Sequence, residues 1–178
     1  WVEAAIEQER GLDKPVVDPT PEAVQVLTCH AAKGLEWDVV AVPGLVEGTF
    51  PAHSARVTPD KETGGWKIGT PTDRGWLAGV DGGVPYPLRG DRAGLPELDV
   101  SGTSPKEVTT AIDDFRRAGG EHAIVEERRL AYVALTRARH DLLLVSAQWG
   151  SAQTPRVPSR FFTEVADLPG VTRRGDAP

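Results

Sequence analysis

The sequence predicts an α/β fold with a parallel sheet, and three observations support this prediction. β-branched runs predict strands at Val24–Leu27 and Val39–Val42, and a continuous apolar run predicts a third strand at Leu142–Val145. Glu121–Ala138 carries acidic residues near its start and arginines near its end, as the dipole of an α-helix favours. The order strand, strand, helix, strand is typical of a parallel α/β sheet.

Composition limits the classes of protein that the chain can represent. Its 178 residues, 39% apolar and 26% charged, suffice for one globular domain with a core. The formal net charge of −6 is unusual for a protein that binds nucleic acid over a broad face. We therefore expect any nucleic-acid contact to be local, or to be shared with another domain.

Three simpler features bear on the setting of the chain. The single cysteine, Cys29, excludes an internal disulfide, is typical of a reducing compartment and is interpreted as a small buried residue rather than a catalytic thiol. No apolar run approaches the ~18 residues of a membrane span. The sequence has no Met and opens on Trp1, so we expect a piece of a longer protein.

The chain divides by composition into five predicted segments. Residues 52–120 hold 12 Gly and 6 Pro, which predicts a loop-rich insertion, and the aromatic residues Trp66, Trp76 and Tyr86 indicate that it is ordered. The first two predicted segments are a helix end and linker at 1–21 and a first part of the α/β lobe at 22–51. The insertion at 52–120 is followed by a second part of the lobe at 121–168 and a tail at 169–178.

Local signals predict further elements inside these segments. A short hairpin is expected around Gly64–Gly65. Ser104, followed by Pro105 and by Glu107 three residues on, predicts a helix start with a capping box, and this helix is expected to stop before Gly119–Gly120. A short helix is predicted at Ser159–Val165.

The polar segment Thr28–Glu36, between the first two strands, is the candidate functional site. In parallel α/β sheets, ligands bind at the carboxyl ends of strands, and this segment follows such an end. Small residues at Ala31, Ala32 and Gly34 allow a backbone to approach a bound group closely, and a Lys beside a Gly suits a phosphate. The alternative is an ordinary connection with solvated charges.

Two blocks of sequence resemble a known family. Val24–Trp37 resembles motif V of the UvrD/Rep-type superfamily I DNA helicases, and Glu126–Ala138 resembles their motif VI. Glu47–Pro51 and Pro158–Phe162 are similar to family segments at the corresponding places. The resemblance implies the C-terminal motor domain of such a helicase, usually called 2A, with a RecA-like parallel sheet and flanking helices.

The resemblance implies nucleotide-binding roles at three positions. Arg137 would be the arginine finger that reaches the γ-phosphate of ATP, which suits a side chain that is always charged and forks toward phosphate oxygens. The alternative for Arg137 is a helix-end charge that satisfies carbonyl groups. Gly34 would face the nucleotide through its backbone, and Glu36 would bind the ribose hydroxyls.

Motif V also implies contacts with single-stranded DNA. Thr28 and His30 would face the strand, and Lys33 would serve the DNA, the nucleotide or neither. The alternatives are a turn histidine with satisfied hydrogen bonds and a solvated lysine. Arg128 and Arg129 are predicted to form ion pairs with Glu126 or Asp141 rather than to contact ATP.

The parent that the resemblance implies is an ATP-dependent 3′→5′ DNA helicase acting in repair or recombination on single-stranded and duplex DNA. Its implied location is the cytoplasm, at the nucleoid. The sequence has no Gly-x-x-x-x-Gly-Lys-Ser/Thr loop and no metal-binding set, so the first motor domain of the parent would bind most of the ATP and Mg²⁺. The isolated chain is therefore expected to be inactive.

Three alternatives concern the parent and its partners. The 69 residues of the predicted insertion are similar to the longer connections of RecB/AddA/AdnAB-like subunits, which would add a helicase–nuclease partner. A non-catalytic interaction module, binding through the aromatic insertion, is a second function hypothesis. An unrelated nucleotide-binding domain acting alone is a third, and the missing phosphate loop disfavours it.

Overall fold

The computed structural model describes most of the chain beyond the predicted linker. The predicted helix end and linker at 1–21 and the aromatic residue Trp76 lie outside the described residues. The described ranges are 22–53, 55–62, 64–75, 86–150, 155–172 and 174–175.

Two parallel strands form the centre of the α/β unit. Strand β1 (Trp37–Val42) pairs with strand β4 (Ala138–Leu144), and Val40 lies opposite Leu142. Both strands were predicted from their apolar runs, and both begin a few residues earlier than expected. The parallel pairing confirms the α/β class.

The predicted strand at Val24–Leu27 is wrong. These residues have no regular secondary structure, and Val24 and Val26 are 93% and 95% exposed. A β-branched run becomes a strand only where it finds a partner and a face to bury, because β-propensity largely measures packing. No such partner faces Val24–Leu27 in the described part of the chain.

A single helix, α1 (Pro105–Leu135), replaces the two helices that were predicted. Its start is as predicted: the Ser104 side chain accepts from the backbone N–H of Glu107, and the Glu107 carboxylate accepts from that of Ser104. The predicted stop at Gly119–Gly120 is wrong, and the boundary placed at residue 120 falls inside the helix.

Close packing explains the two glycines better than helix termination does. A Cβ on Gly120 would lie 2.3 Å from the carbonyl of Pro71, and a Cβ on Gly119 would lie 3.0 Å from the backbone oxygen of Asp73. The loop through Pro71–Asp73 therefore rests directly on the helix backbone. Glycine permits this approach, and tertiary contacts override its helix propensity, which is unfavourable by about 1 kcal/mol.

Small elements complete the described fold. Strands β2 (Val57–Pro59) and β3 (Trp66–Ile68) pair antiparallel, which confirms the hairpin predicted around Gly64–Gly65. Helix α2 (Arg160–Ala166) confirms the short helix predicted near the C-terminal end. Two 3-10 turns lie at Tyr86–Leu88 and Arg92–Gly94.

The core lies where β1, the end of α1 and the loop after β1 meet. Val42, Leu45 and Ala134 are buried together there. Several partly buried side chains pack against them: Cys29, Val40, Phe50, Leu135, Leu144 and Phe162. Motif V and motif VI flank this core, so its packing sets their relative position. None of the described helices is both long and apolar enough to cross a bilayer.

Candidate functional site

Motif V forms a compact turn that leads into β1. The backbone oxygen of Thr28 accepts from the N–H of Ala32 at 3.1 Å, and its side-chain oxygen accepts from the N–H of Ala31 at 3.2 Å. The N–H of Lys33 donates to the carbonyl of His30 at 3.3 Å. These bonds hold the segment in one local conformation although the side chains of Thr28, His30 and Lys33 are exposed.

Gly34 ends this turn in the left-handed region, at a φ of +85°. A Cβ at this position would meet nothing within 4 Å, so the backbone conformation and not the space requires glycine. The turn places Leu35 and Glu36 at the entrance of β1, beside the end of α1.

Arg137 lies against this turn. Its Nη1 donates to the backbone oxygen of Leu35 at 2.9 Å, its Nε to that of Val133 at 2.8 Å, and its Nη2 to the side-chain oxygen of Thr136 at 2.9 Å. Its own carbonyl accepts from the N–H of Trp37 at 3.0 Å. The side chain thus satisfies helix-end carbonyls, the alternative named above, and bridges motif VI to motif V.

Glu36 has a partner that the sequence interpretation missed. Arg139 Nε lies 3.3 Å from Glu36 Oε2, and Arg139 Nη1 lies 3.9 Å from Asp38 Oδ1. All three side chains are more than half exposed. The sequence does show two acidic residues, Glu36 and Asp38, near the start of one strand and a basic residue, Arg139, in the other. Pairing them requires the register of the two strands, which the sequence alone does not give.

The two other arginines of motif VI form ion pairs, one of them with an unexpected partner. Arg129 pairs with Glu126, as predicted. Arg128 pairs with Glu164 of α2 instead of Glu126 or Asp141, with 2.9 Å between Nη2 and Oε1, and its guanidinium lies 5.2 Å from the ring centroid of Phe161. The hydrogen bond from Arg128 lowers the pKa of Glu164. The prediction for Arg128 was wrong because its partner lies on α2, which is remote in sequence.

The two shorter segments that resemble the family also meet. Val46 forms a β-bridge with Pro158, and Glu47 accepts from Arg160 three times, from its backbone N–H at 2.7 Å, from Nε at 3.1 Å and from Nη2 at 3.2 Å. The side chain of Glu47 is 2% exposed. This buried ion pair was not predicted, and it anchors the loop after β1 to α2.

The remaining candidate groups are simpler. Burial raises the pKa of the Cys29 thiol, which keeps it protonated and agrees with its interpretation as a packing residue. Trp66 is 37% exposed on the hairpin, and the hydroxyl of Tyr86 donates to the carbonyl of Arg92 at 3.1 Å. Within the described ranges, no group of three or more His, Cys, Asp or Glu side chains could hold a metal ion.

Comparison with known proteins decides the family. Residues 6–148 match the family described as UvrD-like helicase C-terminal domain, a range that includes both motifs. The chain belongs to this family. The resemblance inferred from the two motifs is therefore confirmed.

Individual members of the UvrD-like helicase family agree with this assignment. The "Probable DNA helicase II homolog" of Rickettsia conorii is 29% identical over 148 residues, which are 82% of this chain and 14% of that protein. The "ATP-dependent DNA helicase UvrD2" of Mycobacterium tuberculosis is 27% identical over 168 residues, 88% of this chain and 15% of that protein. The "ATP-dependent DNA helicase PcrA" of Bacillus subtilis is 28% identical over 149 residues, 82% and 12% respectively. The chain thus spans about one seventh of the length of the first of these relatives.

Proposed function

We propose that the chain is part of the second motor domain of an ATP-dependent 3′→5′ DNA helicase that acts in DNA repair or recombination, and that Arg137 is its arginine finger. The observation that carries the proposal is the contact between Arg137 and the carbonyl of Leu35, which joins motif VI to motif V. The membership of the UvrD-like helicase family supports it. The same proposal makes β1 and β4 part of a RecA-like sheet, with an insertion that begins at residue 52 and continues into α1 rather than ending at residue 120.

Arg137 has acceptors that it can exchange. All three of its side-chain partners are neutral oxygens: the carbonyls of Val133 and Leu35 and the hydroxyl of Thr136. A phosphate oxygen carries negative charge, so a bond to it adds the attraction between opposite charges that a neutral oxygen cannot supply, and the guanidinium can grip two such oxygens at once. We expect Arg137 to release these oxygens and turn to the γ-phosphate when the first motor domain brings ATP to it, where it stabilises the charge that develops during transfer.

The turn from Thr28 to Glu36 would couple this movement to DNA. Gly34 and Glu36 are proposed to face the nucleotide, with Glu36 on the ribose hydroxyls. Thr28, His30 and Lys33 are proposed to face single-stranded DNA, and their exposure leaves them accessible for that contact. Because hydrogen bonds link the two ends of the turn, a shift of Leu35 would move the DNA-facing side chains as well.

Other components of the proposed motor belong to the rest of the parent. The sequence carries no phosphate-binding loop, so we propose that the first motor domain of the same protein holds ATP and its Mg²⁺ and that the isolated chain does not hydrolyse ATP. Single-stranded and duplex DNA are the proposed substrates, and the proposed location is the cytoplasm at the nucleoid. A helicase–nuclease partner subunit stays a prediction.

The test is the DNA-stimulated ATPase of the intact parent carrying Arg137→Ala. An arginine finger is typically worth roughly 10³–10⁵ in turnover, so we expect a loss on that scale while a fluorescent ATP analogue still binds. Arg129→Ala is the matched control, because Arg129 is an exposed arginine of the same motif whose ion pair is with Glu126. Near-normal turnover of the Arg137 variant would refute the finger and favour the interaction-module hypothesis.

A further inference from the structure

Arg139 lies beside the nucleotide-facing carboxylate of the proposed site. Its Nε is 3.3 Å from Glu36 Oε2, and its Nη1 is 3.9 Å from Asp38 Oδ1. Glu36 immediately precedes β1 and Asp38 is the second residue of that strand, and both carboxylates lie within 4 Å of the Arg139 guanidinium. One guanidinium therefore sits between two carboxylates.

A β-bulge in β4 produces this arrangement. Trp37 pairs with Ala138, and the next described pair is Val39 with Asp141. A single residue of β1, Asp38, thus faces two residues of β4, Arg139 and His140. A bulge of this kind redirects a side chain and is common next to functional sites.

Arg139 also acts beside the proposed finger. Arg137 donates to the carbonyl of Leu35, and Arg139 pairs with the carboxylate of the next residue, Glu36. Arg137 of motif VI and Arg139, just beyond the end of that motif, therefore hold two consecutive residues of motif V. Arg139 contacts only the Oε2 atom of Glu36. The carboxylate can still accept hydrogen bonds from further donors, such as a ribose hydroxyl.

We infer that Arg139 is a positioning residue that orients the Glu36 carboxylate toward the ribose of ATP. The inference rests on the proposed function, in which Glu36 binds the ribose hydroxyls. Arg139 itself touches neither base nor phosphate in this scheme. Its guanidinium holds Glu36 through the Oε2 atom, and the carboxylate of Asp38 lies beside the guanidinium in turn.

The experiment compares ATP with 2′,3′-dideoxy-ATP in the intact parent helicase. KM and kcat of the DNA-stimulated ATPase are measured for wild type, Glu36→Gln, Arg139→Gln, Arg139→Lys and the double variant Glu36→Gln/Arg139→Gln. Arg129→Gln is the matched control, since Arg129 pairs with Glu126 by an exposed contact on the same motif.

Arg139→Gln is expected to raise KM for ATP about threefold, the scale of an exposed ion pair, with kcat within about twofold of wild type. KM for 2′,3′-dideoxy-ATP should stay unchanged, so that discrimination between the two nucleotides falls. Arg139→Lys should restore most of the discrimination, because an ammonium still pairs with Glu36 as a point charge. The double variant should discriminate no less than Glu36→Gln alone, since Arg139 acts only through Glu36.

The outcomes separate the two proposals. If Glu36→Gln leaves discrimination intact, the ribose role of Glu36 fails and the inference fails with it. If Glu36→Gln lowers discrimination while Arg139→Gln leaves it at the wild-type value, the proposed function stands and the positioning role of Arg139 is refuted. An equal rise of KM for both nucleotides in Arg139→Gln would also overturn the inference, because a general structural role would move both.

Discussion

The buried ion pair between Glu47 and Arg160 allows a quantitative test of how the two shorter family segments are joined. Glu47 is 2% exposed and Arg160 is 20% exposed, so water replaces little of their interaction. Glu47→Ala removes the acceptor of three hydrogen bonds and leaves the guanidinium without its hydrogen-bonded carboxylate. Breaking a buried ion pair from one side costs about 3–5 kcal/mol, and the partial exposure of Arg160 favours the lower end of that range.

We therefore expect Glu47→Ala to lower the free energy of unfolding by about 3 kcal/mol. For a chain of this size each kcal/mol shifts the midpoint by roughly 2–4 °C, so the thermal midpoint should fall by about 6–12 °C. The measurement is thermal and urea unfolding followed by circular dichroism. Glu47→Gln keeps the side-chain volume and part of the hydrogen bonding, so its thermal midpoint should lie between those of wild type and Glu47→Ala.

The matched control is Glu164→Gln, which breaks the ion pair with Arg128 at side chains that are each 49% exposed. Exposed pairs contribute about 0–1 kcal/mol, so the loss of unfolding free energy in Glu164→Gln should be at most a third of the loss in Glu47→Ala. The reasoning would be refuted if Glu47→Ala unfolded within about 1 kcal/mol of wild type, or if both variants lost the same free energy.

Two further perturbations follow from the packing of α1 and from the pair at α2. Gly120→Ala should destabilise the chain by about 1–3 kcal/mol in urea unfolding despite the better helix propensity of alanine, because the new Cβ would lie 2.3 Å from the Pro71 carbonyl. The control Glu121→Ala, at an exposed neighbouring position, should leave the stability unchanged or raise it slightly. Equal changes in the free energy of unfolding for the two variants would contradict this packing. The pKa of Glu164 is lowered from its ordinary value of 4.5, so its contribution is complete above that pH and is lost as the pH falls through the lowered folded-state pKa. The stability difference between wild type and Glu164→Gln should therefore shrink in unfolding titrations below about pH 4.5, and a constant difference down to pH 2 would contradict it.

Local signals predicted the elements whose cause is local. The capping box at Ser104 and Glu107 involves groups three residues apart, so the sequence alone contains all of its partners. Gly34 was predicted only as a small residue that lets a backbone approach a bound group, and its positive φ was not predicted. The apolar runs of β1 and β4 predicted strands because both runs are long enough to be recognised without their neighbours.

Predictions failed where the outcome depended on remote partners. The run Val24–Leu27 has strand composition but no described strand beside it, and Gly119–Gly120 has the composition of a helix end but supports the packing of the Pro71 loop. Arg128 and Glu47 were assigned no correct partner, because Glu164 and Arg160 lie 36 and 113 residues away respectively. Charge and propensity cannot select one partner among many at such distances.

The sequence by itself determined the α/β class, the family and the candidate residues of motifs V and VI, because these depend on composition and on short patterns of residue types. The tertiary structure decided which of those residues meet. It placed Arg137 on the carbonyl of Leu35, 102 residues away, and a bulge in β4 placed Arg139 on Glu36. Such contacts depend on strand register and on the course of a 31-residue helix, which arise only when the chain packs around a common core.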